Sequence, residues 1–360
     1  MISDKEYFIL FSNCIPVKGV NRSIICDLQL ERYGFIPNLL FDILKETKQK
    51  SINEIKGLYL HKLDDGIDSY INLLVSENWG TITTDPSQFP DLDFTWEHPS
   101  NITNAIIDFD KDSKYDLESI FKELDILGCE ALQVRLFGIT KKKQLNDILT
   151  FSNSSQISHI NLIIGYNPKL LESFFIDLMI EYLRLRAITV YGAPFDKKID
   201  LSKIPDARGG SISYIKKYLA DEHDCGAIFP SDFRSNVSLF TESQKHNTCL
   251  NRKLAIDKHG NIKNCPSLPT SFGNINSTSL IDVIKKRKFK KYWFINKDRI
   301  NICKDCEFRY ICTDCRAYLS EPGDDYSKPL KCGYNPSTNI WEDWSTNQLK
   351  QKVIKYYQTV

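Results

Sequence analysis

The chain lacks the features that would assign it to a membrane, a secretory route or a nucleic acid. It has no uncharged apolar run of about eighteen residues, the minimum for a transmembrane helix. Its start has no basic stretch followed by an apolar run, so we expect no signal peptide. Its 47 basic and 46 acidic residues leave a formal charge of +1, too small to indicate nucleic acid or an anionic membrane as partner. We therefore expect a cytoplasmic protein that binds neither.

Cysteine is the residue type that the sequence concentrates. Eleven cysteines occur in 360 residues, and seven of them lie in the last third of the chain. In chain order these seven are Cys249, Cys265, Cys303, Cys306, Cys312, Cys315 and Cys332. Disulfides are not expected in a reducing cytoplasm, so the cluster indicates metal binding or redox chemistry.

The spacing of these cysteines is that of a metal site. Cys303 and Cys306 are separated by two residues, and so are Cys312 and Cys315. Two thiolates at that spacing can turn from one tight loop onto a single metal centre. Seven thiolates exceed one tetrahedral site and fall one short of two. An iron–sulfur cluster with one non-cysteine ligand fits this count better than a pair of zinc ions, but zinc stays open.

Cys249 and Cys265 are expected to meet through a β-hairpin. Residues 254–262 form two alternating stretches around a glycine turn. Strand pairing holds the two flanks close, which lowers the cost of bringing distant ligands to one metal. Gly260 is expected in the turn because that position needs a positive φ.

The remaining sequence predicts further regions. Residues 1–95 have short strands, three helical patterns and a wing-like stretch at 79–83, which predicts a winged-helix-like subdomain. Residues 100–248 begin with strand-then-helix repeats, typical of parallel strands in a partial or complete (β/α) barrel. Helices are predicted at 37–45, from Ser51, and at 66–77, 117–127, 145–151, 170–185, 279–291 and from Trp341; strands at 7–10, 23–27, 105–109, 131–137, 159–165 and 187–192. Residues 336–360 are predicted as a C-terminal helix or tail.

The cysteine order resembles a known family. The pattern Cys249, Gly260, Cys265, followed by the two pairs and Cys332, looks like the SPASM domain. This is the auxiliary iron–sulfur module of radical S-adenosylmethionine enzymes that modify ribosomal peptides, and the resemblance covers residues 249–335. As a whole the chain is most similar to the grasp-with-spasm peptide maturases, which accompany an ATP-grasp ligase and a short precursor peptide.

The resemblance implies two [4Fe–4S] clusters and divides the ligands between them. One cluster would be held by Cys249, Cys265 and Cys315. The other would be held by Cys303, Cys306, Cys312 and Cys332. In the family, three residues separate the fifth and sixth cysteines, whereas two separate Cys312 and Cys315 here. This departure from the family pattern concerns the assignment of Cys315 to the first cluster.

A larger departure concerns the barrel. Radical S-adenosylmethionine enzymes carry a C-x3-C-x2-C triplet after the first barrel strand, and no such triplet occurs upstream of Cys249. The resemblance therefore implies an α/β protein with a degenerate radical-SAM-like partial (β/α) barrel, an N-terminal winged-helix-like subdomain and a C-terminal cysteine-rich SPASM domain. No S-adenosylmethionine is expected as cofactor, and the catalytic residues, if any, are unknown.

Several residues have alternative interpretations. Cys225 is the best candidate for an eighth thiolate, while His246 and His259 flank the predicted hairpin and are further alternatives. The stretch 221–225 could bind metal, although a charged helix end is the commoner meaning of such a run. Cys14, Cys26 and Cys129 are expected to be small buried hydrophobes.

The expected function is a maturation component that binds a precursor peptide and acts with an ATP-grasp ligase. Residues 1–95 would recognise the leader by strand addition at an exposed sheet edge. The basic run at 285–291 is expected to be a solvated helix face. Two rivals stay open: an iron–sulfur redox enzyme that acts on a peptide side chain without S-adenosylmethionine, and a zinc-stabilised binding scaffold.

Overall fold

The computed structural model describes residues 6–204, 207 and 209–359. The first five residues, which contribute to the expected lack of a signal peptide, lie outside this part. The strands are β1 (Tyr7–Leu10), β2 (Cys14–Lys18), β3 (Ser23–Asp27), β4 (Arg32–Ile36), β5 (Gly80–Thr83), β6 (Asn104–Phe109), β7 (Ala131–Leu136), β8 (His159–Gly165), β9 (Leu185–Tyr191), β10 (Lys197–Asp200), β11 (Ser211–Ile215), β12 (Lys253–Ile256), β13 (Ile262–Lys263), β14 (Tyr334–Asn335) and β15 (Ile340–Trp341).

The α-helices are separated by loops and short 3-10 turns. They are α1 (Asn38–Leu44), α2 (Ile52–Leu58), α3 (Asp64–Ser76), α4 (Leu117–Ile126), α5 (Lys142–Asn153), α6 (Glu172–Glu181), α7 (Val237–Ser243), α8 (Leu280–Lys285) and α9 (Gln351–Thr359). In the described part of the chain, no helix is both long enough and apolar enough to cross a bilayer.

The chain divides into two compact units. Unit 1 comprises the described residues of Met1–Trp96, Ala227–Thr248 and Ile295–Val360. Unit 2 comprises Glu97–Gly226 and Cys249–Phe294. The seven clustered cysteines are shared between them, because Cys249 and Cys265 belong to unit 2 and the other five belong to unit 1.

The N-terminal part of unit 1 has two antiparallel sheets. Strand β1 pairs with β5, and β2, β3 and β4 form a three-stranded sheet in that order. Helices α1 to α3 bury their apolar faces with residues such as Phe8, Ile25 and Trp79. Helix α2 begins with the predicted capping box, in which Ser51 and Glu54 each bond to the other's backbone N–H. Three helices and the wing strand form where predicted, and the winged-helix comparison itself stays a prediction.

A second core of unit 1 joins sequence-distant segments. Val17 and Ile24 of the three-stranded sheet pack with Phe233, Phe308 and Tyr334. Beside this core, the fully buried carboxylate of Glu307 accepts hydrogen bonds from Arg22 Nε at 2.8 Å and from the Tyr334 hydroxyl at 2.5 Å. Apolar packing and this charged network therefore tie the first strands to the C-terminal cysteine segment.

Unit 2 is built on one eight-stranded, mostly parallel sheet. Its order is β10-β11-β9-β8-β7-β6-β12-β13, and only the two outermost pairs are antiparallel. The predicted alternation of strands and helices is confirmed as a mixed α/β fold, with α4, α5, α6 and α8 burying apolar residues against the sheet. Closure of the sheet into a partial barrel stays a prediction. Strand β12 pairs with β6 in parallel, so the predicted cysteine hairpin continues the main sheet.

Some elements differ from the sequence predictions. The helix predicted at 279–291 ends at Lys285, because Lys286 to Lys288 add charge without an apolar face to bury. Trp341 lies in β15, and the C-terminal helix starts ten residues later, at Gln351. Strands β2, β4, β10, β11, β14 and β15 and helix α7 were not predicted. Pro16 inside β2 and Gly34 inside β4 weaken the strand pattern in the sequence.

Candidate metal centres

Four cysteines of unit 1 line one small cavity, which we call the four-cysteine site. They are Cys303, Cys306, Cys312 and Cys332. A 3-10 turn over Cys303–Asp305 brings the first two together, since the Cys306 N–H donates to the Cys303 carbonyl at 3.0 Å. Cys332 is fixed by a bridge to Ile228. Aromatic residues close the cavity, among them Phe233, Phe308 and Trp341.

A buried cation stands beside these thiols. Lys297 Nζ lies 3.5 Å from Cys312 Sγ and 2.9 Å from the Thr313 carbonyl oxygen. Burial alone would lower the pKa of this lysine, but a thiolate at Cys312 and the carboxylate of Asp314 outweigh burial and raise it. Lys297 is therefore a fixed positive charge that can offset thiolate charge at the four-cysteine site.

Asp314 completes this buried charge cluster. Its carboxylate lies 3.5 Å from Lys297 Nζ and 2.7 Å from Arg316 Nε. Asn247 Nδ2 donates to the same carboxylate at 2.6 Å. Burial favours the neutral acid, but the Arg316 and Lys297 charges outweigh it and lower the pKa of Asp314. The sequence gives no sign of this cluster, because a lysine and an aspartate near cysteines look like ordinary surface residues.

The thiols of the four-cysteine site are hard to ionise on their own. Burial raises the pKa of Cys303 to about 11 and that of Cys312 to about 12. Burial also raises the pKa of Cys306 well above its ordinary value. A bound metal must displace these protons, so metal binding and deprotonation are coupled here.

The second group of cysteines lies in unit 2, and we call it the hairpin site. Cys249 precedes β12 and Cys265 follows β13, with Ile256 paired to Ile262 across the hairpin. Gly260 has φ +83°, as the predicted turn requires. Asp257 holds the turn, accepting from the Asn261 N–H at 2.9 Å. The hairpin prediction is thus confirmed.

Cys225 lies close to the two cysteines of the hairpin site. It follows a 3-10 turn over Glu222–Asp224, whose Glu222 carbonyl accepts from Ser267 Oγ at 2.9 Å. Burial raises the pKa of Cys265 to about 11, and the neighbouring Cys249 and Cys225 contribute to the rise. Cys225 is exposed whereas Cys265 is buried, so the site has one open side.

Two cations face the hairpin site. Lys253 Nζ lies 3.5 Å from Cys249 Sγ, and the thiols at Cys249 and Cys265 raise its pKa against the effect of burial. Arg135 is also close to Cys225 and Cys265, and its pKa is raised, mainly by Asp108 against the effect of burial. Asp108 and Arg135 are cross-strand neighbours on β6 and β7, joined by two contacts of 2.6 Å. This ion pair was not predicted from the sequence.

The other candidates take different places. Cys315 is buried in unit 1 and, within the described residues, is not among those lining the four-cysteine site. Cys14, Cys26 and Cys129 are buried among apolar residues, as predicted, and burial raises the pKa of each to about 12. His246 packs on Trp96 with ring centroids 5.1 Å apart. The backbone N–H of His259 donates to Asp257 in the hairpin turn.

The spacing of the sulfurs bears on which metal group fits. Within the described residues, ligand atoms of three side chains lie within 4.8 Å of one another only at Asp221, Glu222 and His223. Among the described cysteines, no three sulfurs meet that limit. A single Zn²⁺ with bonds of about 2.3 Å would place its sulfurs roughly 3.8 Å apart. The described thiols around this cavity include no three that lie as close together as the sulfurs of such a zinc site.

Comparison with known proteins identifies the cysteine segment. Residues 248–307 match the SPASM family, described as an iron–sulfur cluster-binding domain. The match confirms the resemblance to the SPASM domain that was inferred from the cysteine order. It covers part of the inferred range of 249–335 and ends at residue 307. A search of curated proteins finds no match to the chain.

Solved structures give weaker similarities. The crystal structure of Streptococcus suis SuiB bound to S-adenosylmethionine is 12% identical, with a TM-score of 0.36, and the alignment covers 91% of this chain and 98% of that one. The crystal structure of SuiB bound to the precursor peptide SuiA is 11% identical, with a TM-score of 0.34 and the same coverage. Scores this low do not establish a common fold.

Proposed function

We propose that this protein is a component of a ribosomal-peptide maturation system. It binds a precursor peptide, acts with an ATP-grasp ligase and holds two [4Fe–4S] clusters without performing radical S-adenosylmethionine chemistry. The observation that carries the proposal is the four-cysteine site within a SPASM-type segment. The same compact unit also contains a small antiparallel sheet suited to peptide binding.

We propose the same division of the cysteine ligands between two clusters that the resemblance to the SPASM domain implies. Cys303, Cys306, Cys312 and Cys332 would hold one cluster, and their common cavity supports this set. Cys249 and Cys265 would hold the other, with Cys315 as third ligand and Cys225 as the thiol that completes the set. The proximity of Cys225 to Cys265 supports its inclusion.

The bound clusters would supply electron-accepting centres and cross-link the loops that hold them. The protein's own residues supply the setting. Lys297 and Lys253 offset the charge of the thiolates, while Phe233, Phe308 and Trp341 give the four-cysteine site an apolar lining. Because metal binding and folding are coupled, these clusters would stabilise the C-terminal segment.

The peptide is proposed to bind at strand β4. Within the described residues, β4 pairs only with β3, so its other edge offers backbone groups to an added strand. Phe35 on this strand is half exposed, and the Arg22 guanidinium lies 3.7 Å from the centre of its ring. An extended peptide would gain backbone hydrogen bonds from the edge and a side-chain contact from Phe35.

The proposed loss of radical chemistry is based on the loop after β6. That loop contains Asp110, whose carboxylate accepts the N–H groups of Asp112 and Ser113, each at 2.9 Å. A radical enzyme would need thiolates here. The loop is instead held by its own aspartate turn.

Two measurements test the proposal. Anaerobically purified protein should contain about eight iron and eight acid-labile sulfide per chain, the content of two four-iron clusters. It should also retain the precursor peptide and the ligase at micromolar concentration in a pull-down. A colourless preparation with zinc and no sulfide would contradict the cluster assignment, and failure to retain either partner would contradict the maturation role.

The exposure of Cys225 favours a second candidate, a redox enzyme that acts without S-adenosylmethionine. An iron held beside an exposed thiol is open to a peptide side chain. Mass analysis of the precursor after anaerobic incubation distinguishes the two functions. A mass change that requires oxidised clusters supports the enzyme, whereas an unchanged mass with and without reductant leaves only the binding role.

A further inference from the structure

Unit 2 contains a large cavity that the proposed function does not use, and we call it the strand-end cavity. It has a volume of about 800 Å³ and lies where β6 and β7 end, at Phe109 and Leu136. Ligands of open parallel sheets bind at the carboxyl ends of the strands. The volume is also within the range of small-molecule sites, roughly 300 to 1,000 Å³.

The lining of the cavity has an excess of positive charge. It includes five lysines and two aspartates, a formal charge of +3, contributed by Lys111, Lys114, Lys141, Lys143, Lys258, Asp110 and Asp147. Both aspartates are already engaged. Asp110 accepts backbone N–H groups of its own loop, and Asp147 pairs with Lys143 at 2.8 Å. Lys111, Lys114 and Lys141 make no ion pair with any described residue.

The first turn of helix α5 adds to this positive field. Residues Lys141, Lys143 and Gln144 of this turn line the cavity. The turn has no acidic residue, and the N-cap residue Lys141 makes no side-chain capping bond. The twelve-residue helix therefore presents unsatisfied N–H groups, which together with the lysines favour an anion such as phosphate.

Other residues of the lining are apolar and aromatic. The rings of Phe109 and Tyr115 lie 5.1 Å apart, and Phe137 and Ile139 line the cavity beside them. Ile139 is 77% exposed, so its side chain is available to a ligand in the cavity. A flat ring on a ligand would cover this surface.

From this combination we propose that the strand-end cavity binds a phosphorylated small molecule with a flat ring, a nucleotide. The charge of the lining also selects against S-adenosylmethionine, whose sulfonium and ammonium groups leave it with a net positive charge at neutral pH. The inference goes beyond the proposed function and does not depend on it. The nearby Asp108–Arg135 pair lies one residue before the cavity on each strand, and Arg135 also interacts electrostatically with Cys225 and Cys265.

The test is calorimetric titration of the full chain with ATP, AMP, pyrophosphate, adenosine and S-adenosylmethionine. ATP is expected to bind most tightly, AMP and pyrophosphate less tightly, and adenosine and S-adenosylmethionine least. Lys111→Ala and Lys141→Ala should each weaken ATP binding about tenfold, the effect of one charged contact. Phe137→Ala should weaken AMP but not pyrophosphate. All of these side chains are partly or fully exposed, so the variants should fold.

Lys122→Ala is the matched control. Lys122 lies on α4, outside the cavity, and pairs with Glu118 at 2.6 Å, so its removal should leave ATP binding unchanged. The proposal is overturned if ATP shows no saturable binding at millimolar concentration, or if the two lysine variants bind ATP like the parent. It is also overturned if adenosine binds as well as ATP, or if a glutamate-rich peptide displaces ATP, since the cavity would then be a peptide site. The readout is independent of cluster content and of peptide retention.

Discussion

The two cysteine sites differ in how far they are enclosed. The four-cysteine site has aromatic cover and a network of buried charges around Lys297 and Asp314. The hairpin site has two nearby cations, Lys253 and Arg135, and lies close to the exposed thiol of Cys225. An enclosed site with fixed charges is suited to hold a group permanently. A site with an exposed ligand is suited to exchange a ligand or meet a substrate.

The largest expected effect comes from removing a ligand of the enclosed site. Cys303→Ala should abolish one cluster and strongly destabilise unit 1, because metal binding contributes to the stability of the fold there. Iron content and circular dichroism of anaerobic protein would measure both losses. Cys129→Ala, a buried cysteine outside either site, is the control and should cost only about 1 to 2 kcal/mol. Full iron content in Cys303→Ala would contradict the assignment of Cys303 as a cluster ligand, and with it the distinction between a buried and an exposed cysteine site.

The pH dependence of metal uptake should sharpen the comparison. Cys303 and Cys312 have pKa values raised to about 11 and about 12, so both are protonated in the metal-free protein at pH 7. Each thiolate that forms on binding releases a proton, so affinity should rise by up to about tenfold per pH unit per proton. Calorimetry in two buffers of different ionisation enthalpy would count the protons. Release of no protons would contradict the buried, neutral thiols.

The same shifts fix the pH dependence of stability without metal. The fold favours the neutral form of these thiols. Their contribution to the free energy of unfolding is therefore fully present below pH 9, the ordinary pKa of a cysteine thiol. It should be lost as the pH rises toward 11 to 12. Denaturant unfolding of metal-free protein at pH 8 and pH 10.5 would show this loss, and equal stability would contradict it.

Removing the buried cation should have the next largest effect. Lys297→Met leaves Asp314 and Arg316 without their third partner and the thiolates without an adjacent positive charge. The expected cost is about 3 to 5 kcal/mol of unfolding free energy. Lys304→Met, an exposed lysine between two of the ligands, should cost little. Similar stability of the two variants would show that the charge network does not support the enclosed site.

The open site should respond more weakly. Cys225→Ser is expected to lower the iron content of the hairpin cluster without changing the melting temperature, whereas Cys249→Ser should remove that cluster. Electron paramagnetic resonance of reduced protein would follow the two clusters separately. An unchanged spectrum and iron content in Cys225→Ser would exclude Cys225 as a ligand.

The smallest effect concerns the hairpin turn. Gly260→Ala places a side chain at φ +83° and should cost about 1 kcal/mol. Gly57→Ala, within α2 and with open space around the added methyl group, should instead stabilise by about 0.5 to 1 kcal/mol. Thermal unfolding of the two variants would show opposite signs if the turn needs its glycine.

Elements with a clear period were predictable from the sequence, and long-range pairings were not. The repeats of unit 2 and the cysteine hairpin follow from apolar spacing and turn chemistry, which are local. The pairing of β12 with β6 depends on residues that are 149 positions apart at Lys253 and Asn104, and no local pattern encodes it. Lys297, Asp314 and Arg135 are charged, so their burial could not be inferred before their partners were known.

The composite make-up of unit 1 has a practical consequence for protein engineering. Phe308 and Tyr334 gain their apolar cover from strands near residue 20 and from Phe233. Glu307 gains its cation from Arg22. A fragment that starts at Cys249 would therefore carry the cysteines and leave their lining behind. The cysteine motif can be recognised in a sequence by itself, but we do not expect it to fold when moved alone into another protein. A chimaera would have to include the amino-terminal strands as well.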